Sequence, residues 1–247
     1  MKMKQTEHSI VILSGGLDST VALWQELELS TMTTRAVTAV TVDYGQRHRR
    51  EIQSARAVIE HYQTKEDPKR RKKQPVTQLT HIIVDARGIG HVLPGSALTD
   101  QTIPVPRGHY AARNMASTIV PNRNMIIASI AAGIGMVNHA DRIILGIHAG
   151  DHAIYPDCRM EFALALENCI RASTGTDMQV ITPFLHITKS KIVKIGVGLD
   201  APLELTWSCY QGKERHCGRC GTCVERNEAF TLAGIADPTE YRPERKL

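Results

Sequence analysis

Five short runs rich in β-branched residues, each separated from the next by a longer intervening segment, constrain this chain more than any other feature. They lie at residues 9–13 (SIVIL), 36–43 (AVTAVTVD), 81–85 (HIIVD), 142–147 (RIILGI) and 178–181. Between and beyond them, helical spacing of apolar residues marks 18–29, 50–61, 122–138, 157–173 and 188–195, the last with Thr188 placed as an N-cap. Parallel strands need a long crossover, usually a helix, so this alternation predicts an α/β fold: a parallel five-stranded Rossmann-like sheet with helices on both faces. Ligands of such sheets bind beyond the carboxyl ends of the strands. That directs attention to the loops at 14–20, 43–48, 86–124, 148–159 and 182–189. Residues 86–121 are rich in Gly and Pro with weak periodicity, which reads as a binding loop or lid. After Pro202 the character changes, so 1–203 reads as one domain and 204–247 as a small cysteine-rich module with a polar tail.

Composition narrows the class. Of 247 residues, 42% are hydrophobic and 22% charged, enough for a core and too apolar for wholesale disorder. The longest uncharged apolar run, 125–137, is too short to span a bilayer. The basic start MKMK leads into an apolar run that breaks at Ser14-Gly15-Gly16, so no signal peptide is expected and the cytoplasm is the expected compartment. Much of the net charge of +5 is local to KEDPKRRKK at 65–73, a basic run beside Pro68 and Pro75, which reads first as a solvated loop. Aromatics at 4% argue against a stacking platform for single-stranded nucleic acid, so nucleic-acid contact is not required.

The first strand runs into Ser14-Gly15-Gly16-Leu17-Asp18-Ser19-Thr20 and then a helix. Two glycines allow a tight turn and close approach to a ligand, and the helix N-terminus offers free N–H groups that favour a phosphate. Ser14, Ser19 and Thr20 add hydroxyls, and Asp18 is suited to a phosphate-bridging metal ion or to capping the helix. Neither GxxxxGK[ST] nor GxGxxG fits the loop. A capped glycine turn without a ligand is the plain alternative.

Four of the six cysteines, Cys209, Cys217, Cys220 and Cys223, fall within fifteen residues. Four thiolates at this spacing suit one tetrahedral Zn²⁺ per chain, closed and therefore structural. His216 offers an alternative ligand. An iron–sulfur centre fits less well, since the C-x2-C-x2-C run lacks its following C-P. Cys158 and Cys169 read as small hydrophobes rather than nucleophiles.

SGGLDST after a strand resembles the phosphate loop of the PP-loop ATP pyrophosphatases, whose fold is adenine nucleotide alpha hydrolase-like. The resemblance implies adenylation: a substrate oxygen takes AMP and pyrophosphate leaves. Further segments sharpen it. YGQRH at 44–48, SALTD at 96–100, PNRN at 121–124, YPDCR at 155–159, TWSCY at 206–210 and the cysteine spacing are similar to the family of 7-cyano-7-deazaguanine synthases. The resemblance runs from about residue 10 to 230. It implies an ATP-dependent ligase that converts 7-carboxy-7-deazaguanine and ammonia to the nitrile in queuosine or related deazaguanine biosynthesis. ATP, Mg²⁺ and Zn²⁺ are implied, as is a homodimer with no membrane contact.

The same resemblance assigns residues. Leu13, Ser14, Gly15, Gly16, Leu17, Asp18, Ser19, Thr20, Val21, Ala22 and Leu23, with Tyr44 and Gln46, would hold ATP. Asp18, Ser19, Lys189 and Arg123 would serve catalysis, Lys189 as a phosphate contact. Arg123, Asn124, Asp157 and Arg159 would bind the deazaguanine acid, since a guanidinium fork matches a carboxylate. His48 is a candidate general base. Against these stand plainer readings: a solvated Lys189, an Arg123 salt bridge, a capping Asp157 and a surface Arg159. Two rival functions remain open at this point. One is a PP-loop enzyme adenylating tRNA or a peptide carboxylate, and the other a zinc-module nucleic-acid binding protein whose affinity would fall with salt.

Overall fold

The structure, a computed structural model, describes residues 7–29, 35–64 and 78–243. The basic run at 65–73 lies outside the described residues. Five strands, β1 (Glu7–Ile12), β2 (Arg35–Asp43), β3 (Leu79–Asp85), β4 (Arg142–Ile144) and β5 (Gln179–Ile181), form one sheet in the order β3-β2-β1-β4-β5. All four pairings are parallel. The expected α/β architecture is therefore present.

Strand periodicity decides which face each residue serves. Val11, Val37, Ala39 and Ile144 point to one core with α1 (Leu17–Leu29) and α2 (Arg50–Thr64). Ile10, Val40, Val42 and Ile143 point to the other, so neighbours along each strand alternate faces. Two further short helices, α3 (Gly88–Val92) and α4 (Ala112–Met115), punctuate the long connection after β3. On the second face, α5 (Arg123–Val137) and α6 (Met160–Thr174) cover the sheet through Ala128, Ala131, Leu166 and Ile170. The last two helices, α7 (Lys189–Gly198) and α8 (Gly221–Ala233), return to the first face, where Ile192, Val193, Ala229 and Phe230 join the α1 core.

Three expectations on boundaries need correction. The fourth strand leaves the sheet after Ile144 rather than Ile147, because Gly146 passes so close to α1 that an added Cβ would sit 3.0 Å from the Ser19 nitrogen. The helix expected over 157–173 is broken at Arg159, which is extended; Pro156–Cys158 is a separate 3-10 turn, and α6 starts at Met160. Thr188 does precede α7, but its hydroxyl meets the Ser190 hydroxyl at 2.9 Å and caps no backbone amide. The segment read as a binding loop or lid is mostly exposed or half-buried, but Ala97, Leu98, Met115 and Val120 anchor it in the core, and the Leu98 carbonyl accepts the Arg47 amide at 2.7 Å.

The strand order reverses direction between β1 and β4, so their crossovers leave in opposite senses and open a crevice at the carboxyl ends of the strands. The burial of Phe230 means that the helix following the cysteines shares the sheet's own core. Phe230→Ala should cost about 3–5 kcal/mol in urea unfolding, while Leu232→Ala, at a site 75% exposed, should change stability by less than about 0.5 kcal/mol.

Candidate active site and metal centre

The crevice is built around the turn after β1. Gly15 has φ +88, and a Cβ there would lie 2.0 Å from the Glu51 carbonyl oxygen, so only glycine fits. The loop is then tied to itself. The Ser19 hydroxyl donates to the Gly16 carbonyl at 3.1 Å and meets the Ser14 hydroxyl at 3.0 Å, while the Ser14 hydroxyl accepts the Gly16 amide at 3.1 Å. The first intrahelical bond runs from the Thr20 amide to the Gly16 carbonyl, so the amides of Leu17, Asp18 and Ser19 precede the ladder and are available at the helix N-terminus. Ser14, Gly16, Leu17, Asp18 and Ser19 all line the cavity. Leu13, Val21, Ala22 and Leu23 do not; they belong to the hydrophobic core beneath it and support the loop from behind. Thr20 is buried and its hydroxyl has no hydrogen-bond partner among the described residues.

Opposite the loop, Lys189 at the start of α7 places its ammonium 3.1 Å from Asp18 Oδ2 and 2.7 Å from Glu225 Oε2. Burial alone would push its pKa down, but Asp18 and Glu225 reverse this and hold it above the usual lysine range. His148 lies beside this group, 1% exposed. Its Nδ1 accepts the Gly150 amide at 3.0 Å, which puts the ring proton on Nε2, 3.4 Å from Asp151 Oδ2. His148, Asp151 and Glu225 are close enough to hold a cation. The protonated Nε2 of His148 and the lysine on Glu225 leave the carboxylates of Asp18 and Asp151 as the better oxygen ligands. Asp18 Oδ1 is buried with no hydrogen-bond partner among the described residues, which fits a hard cation such as Mg²⁺.

The far wall carries Arg123 at the start of α5. It has no ion pair with a carboxylate among the described residues, and its guanidinium lies 6.0 Å from the Tyr155 ring centroid. Burial opposes its charge, yet Tyr44, Tyr210 and Asp157 outweigh that and hold its pKa above the ordinary value. Asn124 also lines the cavity. Asp157 instead turns to the helix: its Oδ2 accepts the Asn124 amide at 3.1 Å, and its carbonyl accepts the Asn124 side chain at 3.0 Å. Arg159 is exposed and donates to the His152 carbonyl at 2.8 Å, outside the cavity lining. Tyr44 faces the cavity; Gln46 sits behind it, accepting the Tyr44 amide at 2.9 Å and donating to Glu51 at 2.8 Å. His48 lines the cavity with Nε2 3.3 Å from Glu51 and Nδ1 unpartnered.

Sequence reasoning missed Tyr110, His148, Asp151 and Glu225. Asp151 and His148 follow β4, in a loop that the fold rule singles out. Tyr110, whose hydroxyl donates to Asp151 at 2.7 Å, sits in the segment read as a lid. Glu225 had no local signal at all.

The four cysteines converge as expected. Their sulfurs lie within 4.8 Å of one another, with Cys217 and Cys223 4.0 Å apart. A tetrahedral ion with bonds of about 2.3 Å needs sulfurs at roughly this spacing. The amides of Cys217 and Cys220 already point at sulfur, donating to Cys209 Sγ at 3.3 Å and Cys217 Sγ at 3.2 Å. Hydrogen bonds among the four push the Cys217 and Cys220 thiols down and those of Cys209 and Cys223 up. These groups can hold one zinc ion or an iron–sulfur centre. His216 is not part of the set. Its Nε2 accepts the Ser208 amide at 3.0 Å and its ring stacks on Trp207, centroids 4.1 Å apart. Burial, with Arg226 nearby, pushes its pKa down to about 4 and keeps it a neutral acceptor.

The metal module touches the phosphate loop directly. The Trp207 amide donates to the Gly15 carbonyl at 2.8 Å, and Trp207, Ser208, Tyr210 and Thr222 line the cavity. Behind them Arg226, fully buried, donates to Thr206 Oγ1 at 2.7 Å, to the Leu203 carbonyl at 2.9 Å and to Asp237 at 3.2 Å. Elemental analysis should find one metal ion per chain, and Cys220→Ser should lose it together with several degrees of thermal midpoint.

A family model described as queuosine biosynthesis protein QueC matches residues 8–234. Proteins named 7-cyano-7-deazaguanine synthase from Brucella ovis and from Brucella abortus (strain S19) are each 44% identical over 235 residues, covering 94% of this chain and 93% of theirs. Among solved structures, an NMN synthetase from Francisella tularensis aligns with 93% of this chain and 78% of its own at 16% identity and a TM-score of 0.43, too remote to add to this.

Proposed function

The chain belongs to the family of the queuosine biosynthesis protein QueC, and we propose that it catalyses the reaction its relatives are named for. That reaction is the ATP-dependent conversion of 7-carboxy-7-deazaguanine and ammonia to 7-cyano-7-deazaguanine. The observation that carries the reading is one cavity lined by both the α1 N-terminus and an Arg123 guanidinium that has no carboxylate ion pair among the described residues. The first suits the phosphates of ATP and the second the carboxylate of the acid.

The chemistry follows from what a carboxylate lacks, a good leaving group. Its oxygen attacks the α-phosphorus of ATP, pyrophosphate departs, and the acyl adenylate forms. Ammonia adds to the acyl carbon and AMP leaves, giving the amide. The amide oxygen takes AMP from a second ATP with loss of pyrophosphate. Loss of that AMP and of the remaining two N–H protons closes the nitrile.

In this reading the amides of Leu17, Asp18 and Ser19 with the Ser14 and Ser19 hydroxyls cradle the departing pyrophosphate, and Lys189 neutralises its charge. Asp18 and Asp151 would hold Mg²⁺, which shields the phosphate oxygens from an incoming nucleophile. Arg123 and Asn124 orient the acid, and Tyr44 and Tyr210 supply flat walls for a planar heterocycle. His48 is the candidate to accept a proton from incoming ammonia. The four cysteines would hold zinc, since nothing in the reaction calls for electron transfer. A homodimer in the cytoplasm belongs to the same reading. No described helix is long and apolar enough to cross a membrane.

Mass spectrometry of reactions with 7-carboxy-7-deazaguanine, ammonium, ATP and Mg²⁺ should show the nitrile and AMP, with Asp18→Ala inactive. Formation of neither amide nor nitrile would exclude this substrate. Arg123→Lys, which loses the planar fork but keeps the charge, should raise the KM for the acid about tenfold or more while leaving the KM for ATP nearly unchanged.

A further inference from the structure

The reading of Lys189 as a phosphate contact leaves open what holds so mobile a side chain in place. A lysine on the first turn of a helix has four rotatable bonds and little to fix it. Here the side chain is 15% exposed, and its ammonium makes its shortest contact, 2.7 Å, with Glu225 Oε2. Glu225 belongs to the helix that carries Cys223, two residues before it. It is itself only 12% exposed. Its other oxygen, Oε1, lies 3.8 Å from His148 Nε2, which is nearer to Asp151 Oδ2 at 3.4 Å. One oxygen of Glu225 is thus engaged by Lys189, and the other sits in the cluster with His148 and Asp151.

The Lys189 ammonium is thus tethered from two sides, by Asp18 of the phosphate loop and by Glu225 of the metal module. Its remaining contact among the described residues is a long one, 3.5 Å to His148 Nε2, so the third N–H can turn to a ligand. The α8 helix is seated by Phe230 and Ala229 in the sheet's core and by Arg226 next to Glu225 in sequence. Its carboxylate is consequently a fixed point, and a lysine bound to it is oriented before ATP arrives.

We propose that Glu225 is a positioning residue for the adenylation step: it acts through Lys189, and by it the cysteine module sets the geometry of the phosphate site. The proposal rests on the function proposed above, through Lys189. It assigns the module a task beyond holding the chain together.

A double-mutant cycle tests it, read as the rate of AMP formation at saturating substrates, with metal content and the KM for the acid measured in each variant. Lys189→Ala should lower the rate about a hundredfold. Glu225→Gln, which keeps the volume and removes the charge, should lower it roughly 10- to 100-fold, since a misplaced group forfeits most of its effect. Metal content should stay at one ion per chain and the KM for the acid should not move. In the Lys189→Ala background, Glu225→Gln should cost less than about threefold more, because its only route of action is gone.

A wild-type rate for Glu225→Gln, or a full additional loss in the Lys189→Ala background, would overturn the proposal. If Lys189→Ala itself keeps the wild-type rate, the phosphate-contact reading falls, and the proposal with it. A wild-type protein that forms no AMP from the acid would instead sink the substrate assignment. If Glu225→Gln loses its metal, Glu225→Asp carries the same cycle, since it keeps the charge and loses only the reach.

Discussion

The bond from the Trp207 amide to the Gly15 carbonyl joins the two ends of this molecule's chemistry. Gly15 occupies a conformation that only glycine tolerates, pressed against the Glu51 carbonyl of α2. A turn so placed would be free to open on its other side. The segment at 206–210 closes that side, and its own position is fixed by Arg226 beneath and by the His216 ring stacked on Trp207. A buried guanidinium is tolerable only when its donors are met, and Arg226 meets a carboxylate, a hydroxyl and a carbonyl. Phosphate loop, Trp207 segment and cysteine cluster are thereby one continuous piece of packing.

That continuity gives the metal a meaning. The small cluster around the cysteines buries only Ala97, Val105 and Trp207 beside them, with Ile103, Tyr210 and Tyr241 partly buried at its edge. So few apolar groups cannot hold a module closed, and a metal ion supplies what the core lacks. The α8 helix then runs from this cluster into the main core and carries Glu225 to the active site on the way.

Much of this was legible in the sequence, for identifiable reasons. The β-branched runs of a buried parallel sheet are short, continuous and separated by helices, so strand count and connectivity could be read from SIVIL, AVTAVTVD and their successors. SGGLDST and the cysteine spacing are local patterns whose chemistry follows from residue type. What could not be read depends on tertiary approach. Gly146 ends β4 early because α1 lies against it. Asp157 serves the amide of Asn124, and Arg159 reaches the His152 carbonyl, outcomes that their motif does not distinguish from substrate contact. Glu225 lies in an ordinary helical stretch, and nothing local marks it as the partner of a lysine on a different helix.

The central claim is that the metal centre and the phosphate loop form one cooperative unit. Hydrogen–deuterium exchange of the full chain, before and after removal of the metal by a chelator, tests it most directly. The account predicts that the hydrogen-bonded amides of Gly16 and Thr20 and those of Trp207 and Ser208 lose protection together when the metal leaves, while β1 and β2 stay protected. Faster exchange confined to 209–223, with the phosphate loop unchanged, would contradict it.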